Sequence, residues 1–301
     1  MNSWPVKRIN LYSGYIKNKY QERVQKITVA LPFTCPHGAC IYCNNRAFAP
    51  THIQHFELEK QIEHGITLAK KRYPKCRKYI IYFQNYTNTN APLDKLKLLY
   101  RRALDFPGVV GLAIATRPDC IDEKLLELLS GFNKDITLEY GLESIYDDTL
   151  KLINRGHNYQ TFLDTLYLTK KYPLKVCAHI ILGLPLDTAY RIINTAKTIS
   201  LLPIDFLKIH HLQILKDTPL ADKDCKLFSL TDYLKTLAIF LSYLNPNIVI
   251  QRLFSEASPK VLIAPDWNHE LNSIRTKLNT YMNEHHLRQG INFRHRGHLL
   301  T

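Results

Sequence analysis

Long apolar runs are missing from this 301-residue chain: none approaches the roughly 20 residues needed to cross a bilayer. Nor do Lys7 and Arg8 lead into the apolar stretch of a secretory signal, so a cytoplasmic location without membrane attachment is expected. Acidic residues are scarce, 26 against 40 Lys and Arg, which leaves a formal charge of +14. That excess suits a polyanionic partner such as RNA or a phosphate-rich substrate. A disulfide framework is also missing. The seven cysteines are an odd number, and Cys76, Cys120, Cys177 and Cys225 are scattered far apart. There is no internal repeat and no low-complexity tract. With 46% hydrophobic and 22% charged residues, the chain can bury a core, which excludes a wholly disordered polypeptide and fits one large domain with extensions.

What the sequence does contain is alternation. Runs rich in β-branched and aromatic residues predict strands over Ile27–Pro32, Tyr79–Gln84, Val109–Thr116, Ile136–Ser144, Val176–Pro185 and Phe206–Leu212. Between them, apolar residues at spacings of three and four predict helices over His55–Tyr73, Leu93–Leu104, Asp122–Leu129, Thr161–Lys171, Asp187–Leu201 and Leu230–Leu244. Such β-α order implies an α/β protein with a parallel sheet and right-handed crossovers. About six units favour a partial (β/α)6 barrel over a flat doubly wound sheet. The expected organisation is a basic extension over 1–26, a barrel over 27–245 and a C-terminal extension over 246–301. A further strand over Ile248–Leu253, a helix over His269–His285 and a basic tail fall in the last part.

Parallel strands are normally apolar on both faces, so polar residues repeating at every second position mark a special surface. Tyr82 and Gln84 share a face, as do Glu139, Gly141 and Glu143; Cys177, His179, Ile181 and Gly183; and Lys208 and His210. Their recurrence in four strands predicts a polar lumen, with the alternate apolar residues lying beneath helices.

Three cysteines crowd into nine residues, Cys35-Pro-His-Gly-Ala-Cys40-Ile-Tyr-Cys43, directly after the first strand. They belong at the carboxyl end of the barrel, where active sites of such folds gather. Three thiolates suit an iron–sulfur cluster with one iron left open. With His37, His52 or His55 as a fourth ligand they also suit a structural zinc.

The sequence resembles radical S-adenosylmethionine (SAM) enzymes, most closely the YhcC/YtqA-type group, whose core is similar to the catalytic subunit of Elongator. The resemblance runs over nearly the whole chain. It rests on Glu22-Arg-Val-Gln-Lys26, Phe33-Thr-Cys-Pro36, Cys40-Ile-Tyr-Cys-Asn44, Tyr82-Phe-Gln-Asn-Tyr-Thr-Asn88 and Thr116-Arg-Pro-Asp-Cys120. Later motifs are Glu139-Tyr-Gly-Leu-Glu-Ser144, Ile153-Asn-Arg-Gly-His157, Ala178-His-Ile-Ile-Leu-Gly-Leu-Pro185 and Lys208-Ile-His210. Two features depart from the common pattern. Four residues rather than three separate Cys35 from Cys40, and Leu186-Asp187 replaces a usual Gly-Glu. The resemblance does not extend to Elongator's acetyltransferase domain, so its carboxymethylating reaction is not implied.

The resemblance implies that Cys35, Cys40 and Cys43 hold a [4Fe-4S] cluster that chelates SAM. Reduction by a low-potential electron donor would then release methionine and a 5′-deoxyadenosyl radical. Glu139 and Glu143 are expected at the SAM ribose or ammonium, Arg155 at its carboxylate, and Gly183 and Pro185 at adenine. Gln84, Asn85, Arg117, His179, Lys208 and His210 are lumen candidates for SAM or substrate. Each has an ordinary structural reading as well: Arg117 paired with Asp119, Lys208 neutralising a barrel carboxylate, either histidine a core residue. Cys177 faces the lumen, which leaves room for a hydrogen-donor role, and no residue is singled out as catalytic. The leading expectation is action on tRNA or another nucleic acid. It is guided by Lys17, Lys19, Arg23 and Lys26, by the Lys70–Lys78 group, or by Arg288, Arg294 and Arg296. The alternatives are a small-molecule substrate with the same chemistry, and a non-catalytic zinc-containing RNA-binding protein.

Overall fold

The computed structural model describes residues 8–44, 57–268 and 270–294. Its strands are β1 (Val24–Val29), β2 (Lys78–Phe83), β3 (Val109–Thr116), β4 (Asp135–Glu143), β5 (Lys175–Leu182), β6 (Phe206–His211), β7 (Ile214–Leu215), β8 (Val249–Arg252) and β9 (Leu262–Ala264). Seven of them form one parallel sheet in the order β1-β2-β3-β4-β5-β6-β8, while β7 and β9 pair antiparallel outside it. This is the partial barrel, with its six strands joined by a seventh. The sheet reaches past both expected limits of the barrel, to Val24 and to Arg252.

The helices are α1 (Tyr12–Tyr20), α2 (Leu58–Arg72), α3 (Leu93–Leu104), α4 (Glu123–Ser130), α5 (Asp147–Leu152), α6 (Tyr159–Thr169), α7 (Ala189–Ile199), α8 (Leu230–Tyr243) and α9 (Leu271–Glu284). Several start where a short polar side chain satisfies an otherwise orphaned amide. Asp122 accepts from Leu125 N at 2.8 Å, Asn158 from Thr161 N at 2.8 Å and Ser229 from Asp232 N at 3.1 Å. The apolar stripes of α2, α3, α4, α6, α7 and α8 cover the outer face of the sheet. There Ile81, Leu112, Leu138, Ile180 and Leu207 are buried in the main core.

The inner face is treated differently at its two ends. Toward the amino ends of the strands it is closed by α1, a helix that falls within the expected basic extension. Ile16 packs against Ile80, Tyr82, Ala113 and Ala115, and Tyr12 and Tyr15 meet the Phe206 ring edge-on at 5.4 and 5.1 Å. Lys19 and Tyr20 hold Asp135, the first residue of β4. Leu11 bridges to Ile250 of β8, so the N-terminal segment reaches across the open side of the curled sheet. Toward the carboxyl ends the inner face stays polar.

Candidate functional site

The cysteine loop is gripped by the turn after α5, in the segment Ile153-Asn-Arg-Gly-His157. Ile153 O accepts from Ile41 N at 3.1 Å, and Asn154 Nδ2 donates to Ala39 O at 2.9 Å. Arg155 Nη1 donates to Cys40 Sγ at 3.6 Å, while its Nε and Nη2 hold Gly141 O at 3.0 and 2.6 Å. Gly156 has a φ of +77°, and a Cβ there would stand 2.4 Å from the His37 ring. Glycine lets the turn come this close to the loop. From the other side Leu220 N donates to Ile41 O at 2.9 Å, and Thr87 Oγ1 donates to Cys35 Sγ at 3.3 Å.

The three sulfurs influence one another electrostatically: burial, then Cys40 and Cys35, push the Cys43 thiol up to about 12. Added positive charge is what such a group of thiolates requires, and Arg155 supplies it from within the site. Hydrogen bonds from Arg155 and Thr87 to sulfur are of the kind that tunes metal-bound thiolates. The donor set therefore fits a cysteine-ligated cluster. Among the described residues no three His, Cys, Asp or Glu side chains converge as ligands of one metal ion. Of the expected zinc partners, His52 and His55 lie outside the described residues. His37 Nε2 sits 3.1 Å from Asn154 O and 3.2 Å from Arg117 Nη1.

Deeper in the lumen, Glu139 of β4 has no solvent exposure and gathers three partners. Lys208 Nζ contacts its Oε2 directly, Lys26 Nζ lies 2.9 Å from Oε1, and His179 Nε2 lies 3.1 Å from Oε2. Burial alone would raise this carboxyl, but Lys208, Lys26 and His179 outweigh it and hold it well below the ordinary value. Lys208 also donates to Tyr82 Oη at 2.8 Å, and burial draws its ammonium down to about 8 against the pull of Glu139. His179 is lowered to about 4 by burial and Lys208, and burial, Arg252 and His179 hold His210 well below its ordinary value.

Above this network lies a cavity of about 180 Å³ whose lining includes Cys43, Gln84, Asn85, Glu143, His210 and Arg252. It joins the cysteine loop to the polar lumen. Glu143 sits after a bulge in β4 at a φ of +66°. Its carboxyl is raised by burial, opposed by Arg155 and a hydrogen bond from Tyr42. A second cavity, about 550 Å³, runs beside Ile41 along Gly183, Leu184 and Pro185. There Asp187 accepts from Gly183 N at 2.9 Å and Leu184 N at 3.0 Å, fixing the turn in place of the usual Gly-Glu. Burial raises it to about 6.

The structure thus brings Gln84, Asn85, Glu143, His179, Lys208 and His210 to one cavity with Cys43. Glu139 lies beneath it, wholly engaged by cations, and the donors of Arg155 are spent on Gly141 and Cys40. Arg117 is not on the lining: it forms a two-pronged pair with Asp119 at 2.8 and 2.6 Å and donates to Arg155 O at 2.6 Å. Cys177 is fully buried with Phe206 and Val249 under α1 and is likewise off the lining. Sequence reasoning missed Lys26 as a lumen residue, and also Tyr42 and Arg252. A signal for Lys26 existed, because Ile27 and Val29 point into the outer core and Lys26 has the opposite parity.

The expected phosphate-guiding groups need correction. Lys17, Lys19 and Arg23 precede β1, and Lys19 pairs with the start of β4. Lys70, Lys71, Arg72, Lys75, Arg77 and Lys78 end α2 and lead into β2. Arg288 adjoins Gln289, which bonds Ile248 O at the entry to β8. All three groups lie at the amino rim of the sheet, opposite the cysteines. The first two groups precede strands, and a parallel sheet puts every such approach on the same rim; Arg288 reaches that rim beside Gln289, at the entry to β8. Arg296 lies outside the described residues.

A family profile described as the Radical SAM superfamily matches residues 31–199, and one described as the Radical_SAM C-terminal domain matches residues 204–284. The chain belongs to the radical SAM superfamily, which implies enzymatic chemistry with SAM and a [4Fe-4S] cluster. It is similar to Protein YhcC of Escherichia coli K12, 31% identical over 93% of this chain and 94% of that one. It is 25% identical to the tRNA uridine(34) acetyltransferase of Methanocaldococcus infernus, over 51% of this chain but only 36% of that protein. In solved structures, the Elp3 of Methanocaldococcus infernus, lacking residues 1–46, superposes with a TM-score of 0.73. It covers 88% of this chain and 64% of its own at 18% identity, a likeness of fold. No helix among the described residues is long and apolar enough to span a membrane.

Proposed function

We propose that this protein is a radical SAM enzyme in which Cys35, Cys40 and Cys43 hold the cluster and the lumen cavity holds the substrate. A single observation carries this reading: the cysteine loop, with donors already aimed at Cys35 and Cys40, opens through Cys43 onto a polar cavity. When bound, the cluster and SAM supply a one-electron cleavage that yields methionine and a 5′-deoxyadenosyl radical. The chain's own residues do the rest. Ile41, Gly183 and Pro185 border the space suited to adenine. Glu143 is placed to accept from ribose hydroxyls or the SAM ammonium. Arg155 supports the Cys40 sulfur and fixes the Gly141 backbone, and Glu139 sets the charge of the lumen floor through Lys26, Lys208 and His179.

For the substrate we favour a tRNA nucleotide, supported by the net charge of +14 and by the tRNA-acting relative. One observation favours a small molecule instead: the three basic groups lie on the rim away from the cysteines, and the cavity is only about 180 Å³. The test is anaerobic reconstitution followed by assay of 5′-deoxyadenosine with a low-potential reductant. Release that depends on all three cysteines supports the chemistry, and stoichiometric zinc without acid-labile sulfide in anaerobic native protein rejects it. Comparison of modified nucleosides in tRNA from cells with and without the protein then decides the substrate. An unchanged profile gives the small molecule.

A further inference from the structure

Among the described residues, every cation of the lumen floor but one has an acidic partner. Lys26 and Lys208 share Glu139, and Arg155 stands 3.9 Å from Glu143. Arg252, at the end of β8, is the register partner of Lys208 and lines the same cavity. Its guanidinium makes no hydrogen bond or ion pair among the described residues. Glu256, the remaining acid on that lining, forms none with it.

The arrangement is unfavourable by itself. Arg252 adds its charge to a wall already holding Lys208, and that charge bears on Tyr82, His179, Lys208 and His210. A guanidinium is a fork of donors matched to two oxygens of a carboxylate or phosphate, and it is left unpaired here facing a cavity. The side-chain amides of Gln84 and Asn85 line the same space, as does Ser255, whose hydroxyl proton is spent on His211 O at 2.7 Å.

We propose that Arg252 is the anchor for an anionic group, a phosphate or carboxylate, carried by the molecule that enters the lumen cavity. The inference rests on that cavity being the substrate site, and it names the charge of the substrate rather than its scaffold. Cys43 and Tyr42 line the same cavity, so the rest of the molecule lies within reach of the cysteine loop.

The test uses the full reconstituted chain with three probes at matched ionic strength: inorganic phosphate, malonate and uridine 5′-monophosphate. Calorimetric titration and thermal unfolding are followed for the wild type, Arg252→Ala and Arg252→Lys. We expect binding to weaken at least about tenfold in Arg252→Ala and to recover in part in Arg252→Lys, since a lysine keeps the charge but not the fork. Without anion, Arg252→Ala should unfold at a temperature no lower than the wild type, because an uncompensated charge has been removed. Preference for the nucleotide identifies a nucleotide source of the phosphate, and equal or better binding of malonate identifies a small carboxylate. Equal responses of wild type and Arg252→Ala to all three probes overturn the proposal, as does a sharp loss of stability in Arg252→Ala. Assay of 5′-deoxyadenosine in the same variants keeps the two readings apart. Failure of the anion site with SAM cleavage intact removes only this inference, whereas Arg252-dependent anion binding without SAM cleavage removes only the radical chemistry.

Discussion

The ammonium of Lys208 touches the carboxylate of Glu139 at the floor of the lumen, and neither group reaches solvent to any extent. With Lys26 on the second oxygen, one buried acid is shared by two cations contributed by strands at opposite parts of the sheet.

Replacing that acid should be costly. Glu139→Gln leaves Lys26 and Lys208 without a counter-charge, and breaking a buried pair in this way costs about 3–5 kcal/mol. Denaturant unfolding measures it. Adding Lys208→Met should recover part of the loss, and a single variant as stable as wild type would show that the network is hydrated and inconsequential.

Acidification should destabilise the protein well before its surface carboxylates titrate. His179 and His211 are lowered to about 4 and about 3, chiefly by burial, whereas an unfolded histidine titrates near 6.5. As pH falls from 6.5 toward 4, the unfolded chain takes up protons that the folded chain refuses, so unfolding is favoured by up to about 1.4 kcal/mol per unit for each group. Glu139 acts in the same direction at lower pH, since its depressed value gives stability that is lost as the carboxylate is protonated. Lys208, lowered to about 8, contributes a rise in stability between about pH 8 and 10.5. Melting temperatures across pH 4–7 should slope upward, less steeply in His179→Asn; a flat profile would contradict the buried neutral histidines.

Cys35→Ala, Cys40→Ala and Cys43→Ala should each abolish the iron–sulfur absorption and the bound acid-labile sulfide of reconstituted protein. Cys76→Ala should leave both unchanged, because that sulfur donates to Arg23 O and Lys78 O at the amino rim of the sheet. Retention of a four-iron cluster in any of the three variants would displace that residue from the ligand set.

Gly141→Ala should damage the site without touching a ligand. A Cβ there would meet Arg155 Nη2 at 2.3 Å and Glu143 Oε1 at 2.6 Å, so the guanidinium must move off the Gly141 carbonyl and away from Cys40. Overpacking of this kind costs about 1–3 kcal/mol. The expected signature is a modest stability loss together with a shifted cluster potential, and an unaltered potential would count against Arg155 as the support of Cys40.

The strand pattern of the barrel could be read from the sequence because helices cover one face only. Outward residues such as Ile81, Leu138 and Ile180 had to be apolar, and the polar residues of alternate parity were left to define the lumen. The ends escaped. The helix α1 has a weak apolar stripe, and its contacts are made by Tyr12, Tyr15 and Ile16 against the inside of the sheet, a surface unknown until the sheet exists. Lys26 reads as part of a basic leader because β1 begins at Val24, three residues before the predicted start at Ile27. Arg252 hid in a short strand whose pairing with β6 is interrupted by a bulge between Leu207 and Lys208, so simple alternation did not place it. The hold on the cysteine loop by residues 153–157 is divided between the side chains of Asn154 and Arg155 and the carbonyls of Ile153 and Asn154, and the carbonyl half leaves little compositional trace.

The bridge from Leu11 to Ile250 sets an order of events for folding. Ile250 N bonds Asn10 O at 2.7 Å, Gln289 N bonds Arg8 O at 2.8 Å, and Lys26 shares Gln251 with β8 at 2.7 Å. These partners are separated by more than two hundred residues, so their closure is among the most entropically expensive steps in the chain. During synthesis, strands β1 to β6 can pair in turn as they emerge, while the earliest segment waits for the latest. Through that interval the amino end of the lumen lacks its stopper and Lys26 lacks one of its two partners. The unclosed sheet is the species that chaperones would meet, and β8 converts it into the finished protein.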